Sequence, residues 1–243
     1  MDIRAIAFDV NGTLVNIRTD EHLDEAFRTI GHLLTYQGID LRRHEVRDLY
    51  FAILKRQQRG SAEKYPEFDS VGVWRTLVEE TATDYTRALP PEKLAQLPGL
   101  LAETYRGATR RRLKLYPHVR TVLQGIHGGL PMAIVTDGQS SYARGELHKV
   151  GIAGYFGPIV VSGDHGYRKP DPRLFQLALS GMGVAAEHTL YVGNDMHRDV
   201  YGAQQLGMKT VMFASDQGTK SYRHCVPDHT IHDHRELLGL LGL

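Results

Sequence analysis

The stretch Ala5-Ile6-Ala7-Phe8-Asp9-Val10-Asn11-Gly12-Thr13-Leu14-Val15 constrains the fold more than any other: an apolar run meets a carboxylate and then a turn. A run of strand length with no polar face predicts a strand buried on both sides, as in a parallel sheet covered by helices. The chain then leaves the sheet at Asp9, the carboxyl end of that strand, where open α/β sheets bind ligands. Gly12 permits a turn that most residues resist, and Thr13 adds a hydroxyl to the same short loop. A carboxylate so placed can serve as a nucleophile or as a metal ligand.

After Val15 the pattern changes to a helical period for about a hundred residues. Leu23, Phe27, Ile30 and Leu34 predict a helix capped at Asp20 and stopped at Gly38. Val46, Leu49, Tyr50, Ile53 and Leu54 predict a second, closed by Gly60. Trp74, Leu77, Val78, Ala82 and Tyr85 predict a third, broken by Pro90-Pro91, where a fourth begins and is interrupted or kinked at Pro98-Gly99. At this spacing Trp74 reads as core, and Arg110-Arg111-Arg112 as a solvated helix face. A crossover of this length is not expected to be a structureless loop, so residues 16–115 read as an inserted all-helical domain within a core of 1–15 and 116–243. Gly60 to Asp69 lacks a helical period and reads as a connecting loop; its functional reading gives Lys64 or Tyr65 to a substrate.

From Pro117 helix and strand alternate, the signature of a parallel sheet covered on both faces. Met132 to Val135 is a buried strand ending at Thr136, and Asp137-Gly138-Gln139-Ser140 opens a helix. A hydroxyl followed by free amides at a helix N-terminus is a phosphate site. A short strand, Ile159 to Val161, precedes Arg168-Lys169-Pro170-Asp171 and a further helix. The next strand, Thr189 to Val192, ends in Gly193-Asn194-Asp195-Met196-His197-Arg198-Asp199, and Lys209 to Phe213 is another. The histidines of the tail, His224, His229, His232 and His234, read as surface loop.

Taken in order, four of these strand ends resemble the four motifs of the haloacid dehalogenase superfamily, which implies a Rossmann-like α/β core with a helical cap inserted between the first and second motifs. Asp9 matches the nucleophile of the first motif, Thr136 the phosphoryl-binding hydroxyl of the second, and Lys169 the neutralising lysine of the third. Gly12, Thr13, Asp137 and Gly138 fall beside these as substrate contacts. The resemblance implies Mg²⁺ as cofactor, held by Asp9, the backbone of Asn11, Asn194 or Asp195, and supported by Asp199. Asp195 is preferred to Asn194 because hard Mg²⁺ favours carboxylate oxygen. The chain departs from the phosphatase pattern at Asn11, which stands where the family's general acid and base would be.

A formal net charge of +1, spread along the chain, gives no dedicated surface for nucleic acid or membrane. The single cysteine, Cys225, fits a reducing compartment, and no apolar run suits a signal peptide or a membrane span, so a cytoplasmic protein is expected. The leading reading is a Mg²⁺-dependent phosphatase of a small phosphorylated metabolite, slowed by Asn11 or directed to activated phosphates. Two others stand beside it: cleavage of a C–halogen or C–P bond, and a non-enzymatic descendant that binds a ligand or partner.

Overall fold

The computed structural model describes residues 2–243. These form eight strands: β1 (Ala5–Phe8), β2 (Val15–Thr19), β3 (Arg110–Leu115), β4 (Met132–Thr136), β5 (Ile159–Val161), β6 (Thr189–Gly193), β7 (Lys209–Phe213) and β8 (His229–Ile231). Six of them make one parallel sheet in the order β5-β4-β1-β6-β7-β8, the Rossmann-like α/β arrangement expected. Alternation along β1 explains why it needs both faces covered. Ile6 and Phe8 enter one core with Val122, Leu123 and Ile126 of the helix Val119–Ile126, while Ala7 faces Leu174, Phe175 and Ala178 of the helix Pro172–Met182. Each large apolar side chain so removed from water contributes about 1.5–3 kcal/mol. Since β1 is flanked by β4 and β6, the segments leaving these three strands emerge at neighbouring positions on one sheet edge.

The chain divides into two compact units, Met1–Ile17 with Leu113–Leu243, and Arg18–Arg112. The inserted unit is built on helices Asp24–Tyr36, Arg43–Gly60, Ser70–Thr81, Asp84–Arg87 and Pro91–Thr109. Their apolar faces meet around Phe27, Tyr50, Trp74 and Tyr105, and Trp74 is fully buried with its ring 4.6 Å from that of Tyr50.

Several local expectations need correction. The first helix starts after Leu23, not at Asp20, whose amide instead bonds the Thr109 carbonyl. The third ends at Thr81, and Tyr85 lies exposed on a separate short helix that Thr83 caps through its hydroxyl. The fourth runs unbroken through Pro98, because tertiary packing of Leu97 and Leu101 outweighs the lost hydrogen bond. The segments joining the units are β2 and β3, paired as a two-stranded ribbon. Arg110, Arg111 and Arg112 therefore lie on a strand, with Arg111 and Arg112 exposed.

The tail is also more structured than a surface loop. His229 starts β8, and a helix follows at Glu236–Leu241. His234 is 1% exposed, its ring 4.2 Å from that of Phe213, and its Nε2 lies 3.0 Å from the Thr13 carbonyl. A carbonyl can only accept, so Nε2 carries the proton. Burial pushes the His234 pKa from 6.5 down to about 4, against the raising effect of the Thr13 carbonyl. Between those values the unfolded chain binds a proton that the folded one refuses, so this contribution is full above pH 6.5 and is lost as pH falls through 4. The expected loss is about 3 kcal/mol. Urea unfolding from about pH 7 to pH 4 measures it. His234→Gln keeps an N–H for Thr13 and cannot titrate, so it should flatten this part of the profile; an unchanged slope would assign it elsewhere.

Candidate active site

The carboxyl ends of β4, β1 and β6 bring distant parts of the sequence to one buried cluster. Asp9 follows β1 and is 5% exposed. Its Oδ1 accepts a hydrogen bond from Lys169 Nζ at 2.8 Å, and its Oδ2 accepts one from Thr13 Oγ1 at 2.9 Å. The loop can return Thr13 to Asp9 because Gly12 adopts a φ of +87°, a conformation open to glycine. A Cβ at Gly12 would also strike the Asn194 side chain, so the loop and the β6 end pack with no room to spare.

Lys169 reaches this cluster from the loop before the helix Pro172–Met182. Its Nζ also donates to Asp199 Oδ1 at 2.6 Å, to the Val135 carbonyl at 3.1 Å and to the Tyr191 hydroxyl at 3.2 Å. Burial alone would push the Lys169 pKa down, but the Asp199 and Asp9 carboxylates together outweigh it and hold the amine well above its usual range. The ammonium is therefore a fixed positive charge beside Asp9. Two carboxylates on one ammonium leave the cluster with one surplus negative charge.

Past β6, Asn194 and Asp195 behave differently. Asn194 is buried with its Oδ1 3.3 Å from Thr13 Oγ1 and its Nδ2 3.3 Å from Ser215 Oγ, so its amide stands beside the Asp9 loop. Asp195 caps the π-helical turn Met196–Tyr201 instead. Its Oδ1 accepts from the amides of His197 and Arg198, and its Oδ2 from Arg198 Nε and Nη2 and the Thr219 amide. Although burial works the other way, these amides and the guanidinium hold the Asp195 carboxyl well below the usual carboxylate range. The preference for Asp195 as the metal-ligand oxygen thus meets a carboxylate already engaged by its own helical turn, while Asn194 Oδ1 lies 3.3 Å from the hydroxyl that bonds Asp9. Asp199 is shared: Oδ1 faces Lys169, and Oδ2 accepts the amides of Asn194 and Asp195, both at 3.0 Å.

The second-motif residues are also redistributed. Thr136 is buried, and its hydroxyl makes only a long 3.5 Å contact to the Asp137 carbonyl, weak enough for the group to turn toward a ligand. The Gly138 amide, expected free, donates to Ser162 Oγ at 2.9 Å. Asp137 Oδ1 accepts the Lys169 main-chain amide at 2.9 Å, while Oδ2 lies 3.6 Å from Arg168 and 3.7 Å from Arg198. Asp137 thus braces the lysine loop. Asn11 is half-buried and bridges to Val15 across the turn. Lys64 and Tyr65 belong to the inserted unit, where Lys64 Nζ stands 5.2 Å from the Tyr65 ring.

Three contributors were not singled out in the sequence. Tyr191 on β6 is 1% exposed and its hydroxyl meets Lys169, Asp199 Oδ1 at 3.2 Å and the Val135 carbonyl at 3.1 Å. A phenol hydroxyl at the middle of a buried strand was the available signal. Ser215 holds the Asn194 amide, and Arg198 holds Asp195. Among the described residues no cluster of three or more His, Cys, Asp or Glu has the form of a metal site.

The family model for haloacid dehalogenase-like hydrolases matches residues 3–207. A phosphoserine phosphatase of Thermus thermophilus is 37% identical over 130 residues, 53% of this chain and 51% of that protein, so the match spans about half of its length. A glyceraldehyde 3-phosphate phosphatase of Methanocaldococcus jannaschii is 25% identical over 240 residues, 98% of this chain and 97% of that one. Among solved structures, a 2-haloacid dehalogenase from Pseudomonas syringae pv. tomato shares the fold with a TM-score of 0.73 at 21% identity, covering 99% of this chain and 98% of the other.

Proposed function

Since the chain belongs to the haloacid dehalogenase-like hydrolases, we propose that it is a phosphatase of small phosphorylated metabolites with Asp9 as its nucleophile. The observation that carries this reading is the Lys169–Asp9 pair, 2.8 Å apart at the end of a central strand whose parallel neighbour ends at Thr136. An ionised carboxylate held in place by an ammonium is ready for in-line attack, and the same ammonium offsets charge on the phosphoryl oxygens. The phosphatase names of the relatives support the substrate class. Selection among such substrates falls to the inserted unit, with Lys64 and Tyr65 as its polar contacts.

The donor set fits Mg²⁺. This ion binds through one or two carboxylates, keeping water and substrate oxygens for the remaining positions. Asp9 supplies the carboxylate, and the Asn11 backbone carbonyl and Asn194 Oδ1 supply neutral hard oxygens, with Asp199 supporting them through the Asn194 amide. Charge agrees: the surplus negative charge of Asp9, Asp199 and Lys169 would repel a phosphate anion, whereas Asp137 and Asp195 are balanced by Arg168 and Arg198. When bound, Mg²⁺ would polarise the phosphoryl oxygens and reverse that surplus. In the chain's own part of the reaction, Asp9 attacks phosphorus, Lys169 and Thr136 hold equatorial oxygens, and Asp137 fixes the lysine loop.

Phosphate release from a panel of phosphate monoesters and acyl phosphates, with Mg²⁺ and with chelator, tests the reading, with 2-haloacids run alongside. Release that requires Mg²⁺ is expected. Halide release with no phosphate from any ester would replace it with dehalogenation.

A further inference from the structure

The inserted unit holds a cavity of its own, about 420 Å³ in volume, among the helices Ser70–Thr81, Asp84–Arg87 and Pro91–Thr109. That volume lies within the range of small-molecule sites. None of the residues given to the phosphatase reaction lines it, nor does Lys64 or Tyr65. The space follows from side-chain size. Arg75, Val78 and Ala82 recur at steps of three and four along the first helix and its cap, so they share one face. Ala82, with Ala95 and Pro98 of the last helix, is too short to close the gap.

The interior of this cavity is apolar and its charges are exposed. The side chains of Val78, Leu94 and Pro98 offer only carbon, and Thr86 has already given its hydroxyl to the Gln37 carbonyl at 2.9 Å. Arg75, Glu79 and Arg87 complete the lining, all three exposed to solvent. Among the described residues the Arg75 guanidinium has no ion-pair or hydrogen-bond partner. Arg87 holds Asp84 at 3.3 Å, but Asp84 is fully exposed and lies outside the lining, so water and salt weaken that pair. Two guanidiniums against one carboxylate leave the cavity one positive charge in surplus. A single negative charge would balance it, whereas a phosphate dianion would overshoot and crowd Glu79.

We propose that this cavity binds a free monocarboxylic acid with an apolar body, its carboxylate paired with Arg75 and its body against Val78, Leu94 and Pro98. A planar guanidinium can hold both carboxylate oxygens at once, which favours this head group over a neutral one. The site is separate from the phosphatase reading and stands or falls without it.

Equilibrium dialysis of the full chain against labelled octanoate and decanoate tests the proposal. Both acids should saturate one site per chain, and decanoate, longer by two CH₂ groups, should bind about tenfold tighter. Decyltrimethylammonium, with the same tail and the opposite charge, should bind at least about tenfold more weakly than decanoate. Arg75→Gln should weaken decanoate about tenfold and leave the urea midpoint unchanged, because an exposed, unpaired side chain supports nothing else. Ala95→Phe, at an exposed position, should fill the space and abolish binding. The proposal is overturned if neither acid saturates the chain, if the cation binds as tightly as decanoate, or if decanoate affinity is unchanged in either variant.

Discussion

Asp9→Asn is expected to lower phosphate release by more than about 10⁴-fold while leaving the fold nearly as stable as before. The two effects separate because Asp9 is one of two carboxylates on the same ammonium. With Asp9 neutral, Lys169 keeps Asp199 at 2.6 Å, and the cluster loses only its surplus negative charge. Thr13 can still donate to the amide oxygen that replaces Oδ2, so the loop retains its anchor. Turnover on the most active phosphate donor, read beside the urea midpoint, checks both halves. Turnover within about tenfold of wild type would remove Asp9 from the chemistry.

Lys169→Met is expected to act in the opposite proportion, with a large effect on folding as well as on activity. Met approximates the length of the lysine stem without its charge, and it would leave Asp9 and Asp199 facing each other in a site where both are buried. Removing one partner from a buried ion pair costs about 3–5 kcal/mol. For a chain of this size that is about 10 °C in the unfolding midpoint. Like-charge repulsion and burial would raise the pKa of the stranded carboxyls in the folded variant. The folded state then binds more protons than the unfolded one, so the variant should recover stability as pH falls. Adding Asp199→Asn should restore much of the stability at neutral pH without restoring turnover, since the charge opposite the phosphoryl group would still be missing. A variant that unfolds at the wild-type temperature at all pH values would show that the cluster is not held as an ion network.

The residues legible in the sequence were those whose positions follow from a strong local signal. Asp9, Thr136 and the Asn194 segment each end an apolar run that can only be a buried strand, and strand ends of a parallel sheet converge whatever the intervening lengths. Lys169 was legible from its motif and its place before a helix. The choice between Asn194 and Asp195 was not, because spacing counts residues and does not say which oxygen a helical turn will claim. It is the amides of His197, Arg198 and Thr219 that engage Asp195, and Thr219 is a partner no local pattern could supply. Ribbon strand β3 was hidden for another reason. Arg110 to Leu115 alternates too much charge with too little apolar surface to announce a strand, and it forms one by pairing with β2. At β8 three residues are too few for a period, and the surrounding histidines and aspartates masked Ile231 and Leu237, both fully or almost fully buried.

The family match ends at residue 207, yet Ser215, Thr219 and His234 lie beyond it and hydrogen-bond Asn194, Asp195 and Thr13. Ser215 steadies the Asn194 amide, the Thr219 amide donates to Asp195, and His234 holds the carbonyl of the residue whose hydroxyl bonds Asp9. Substitutions in this closing segment can therefore shift the surroundings of the Asp9 carboxylate without altering any residue of the matched stretch. For this chain, divergence in reactivity has a route through residues that lie past the matched stretch.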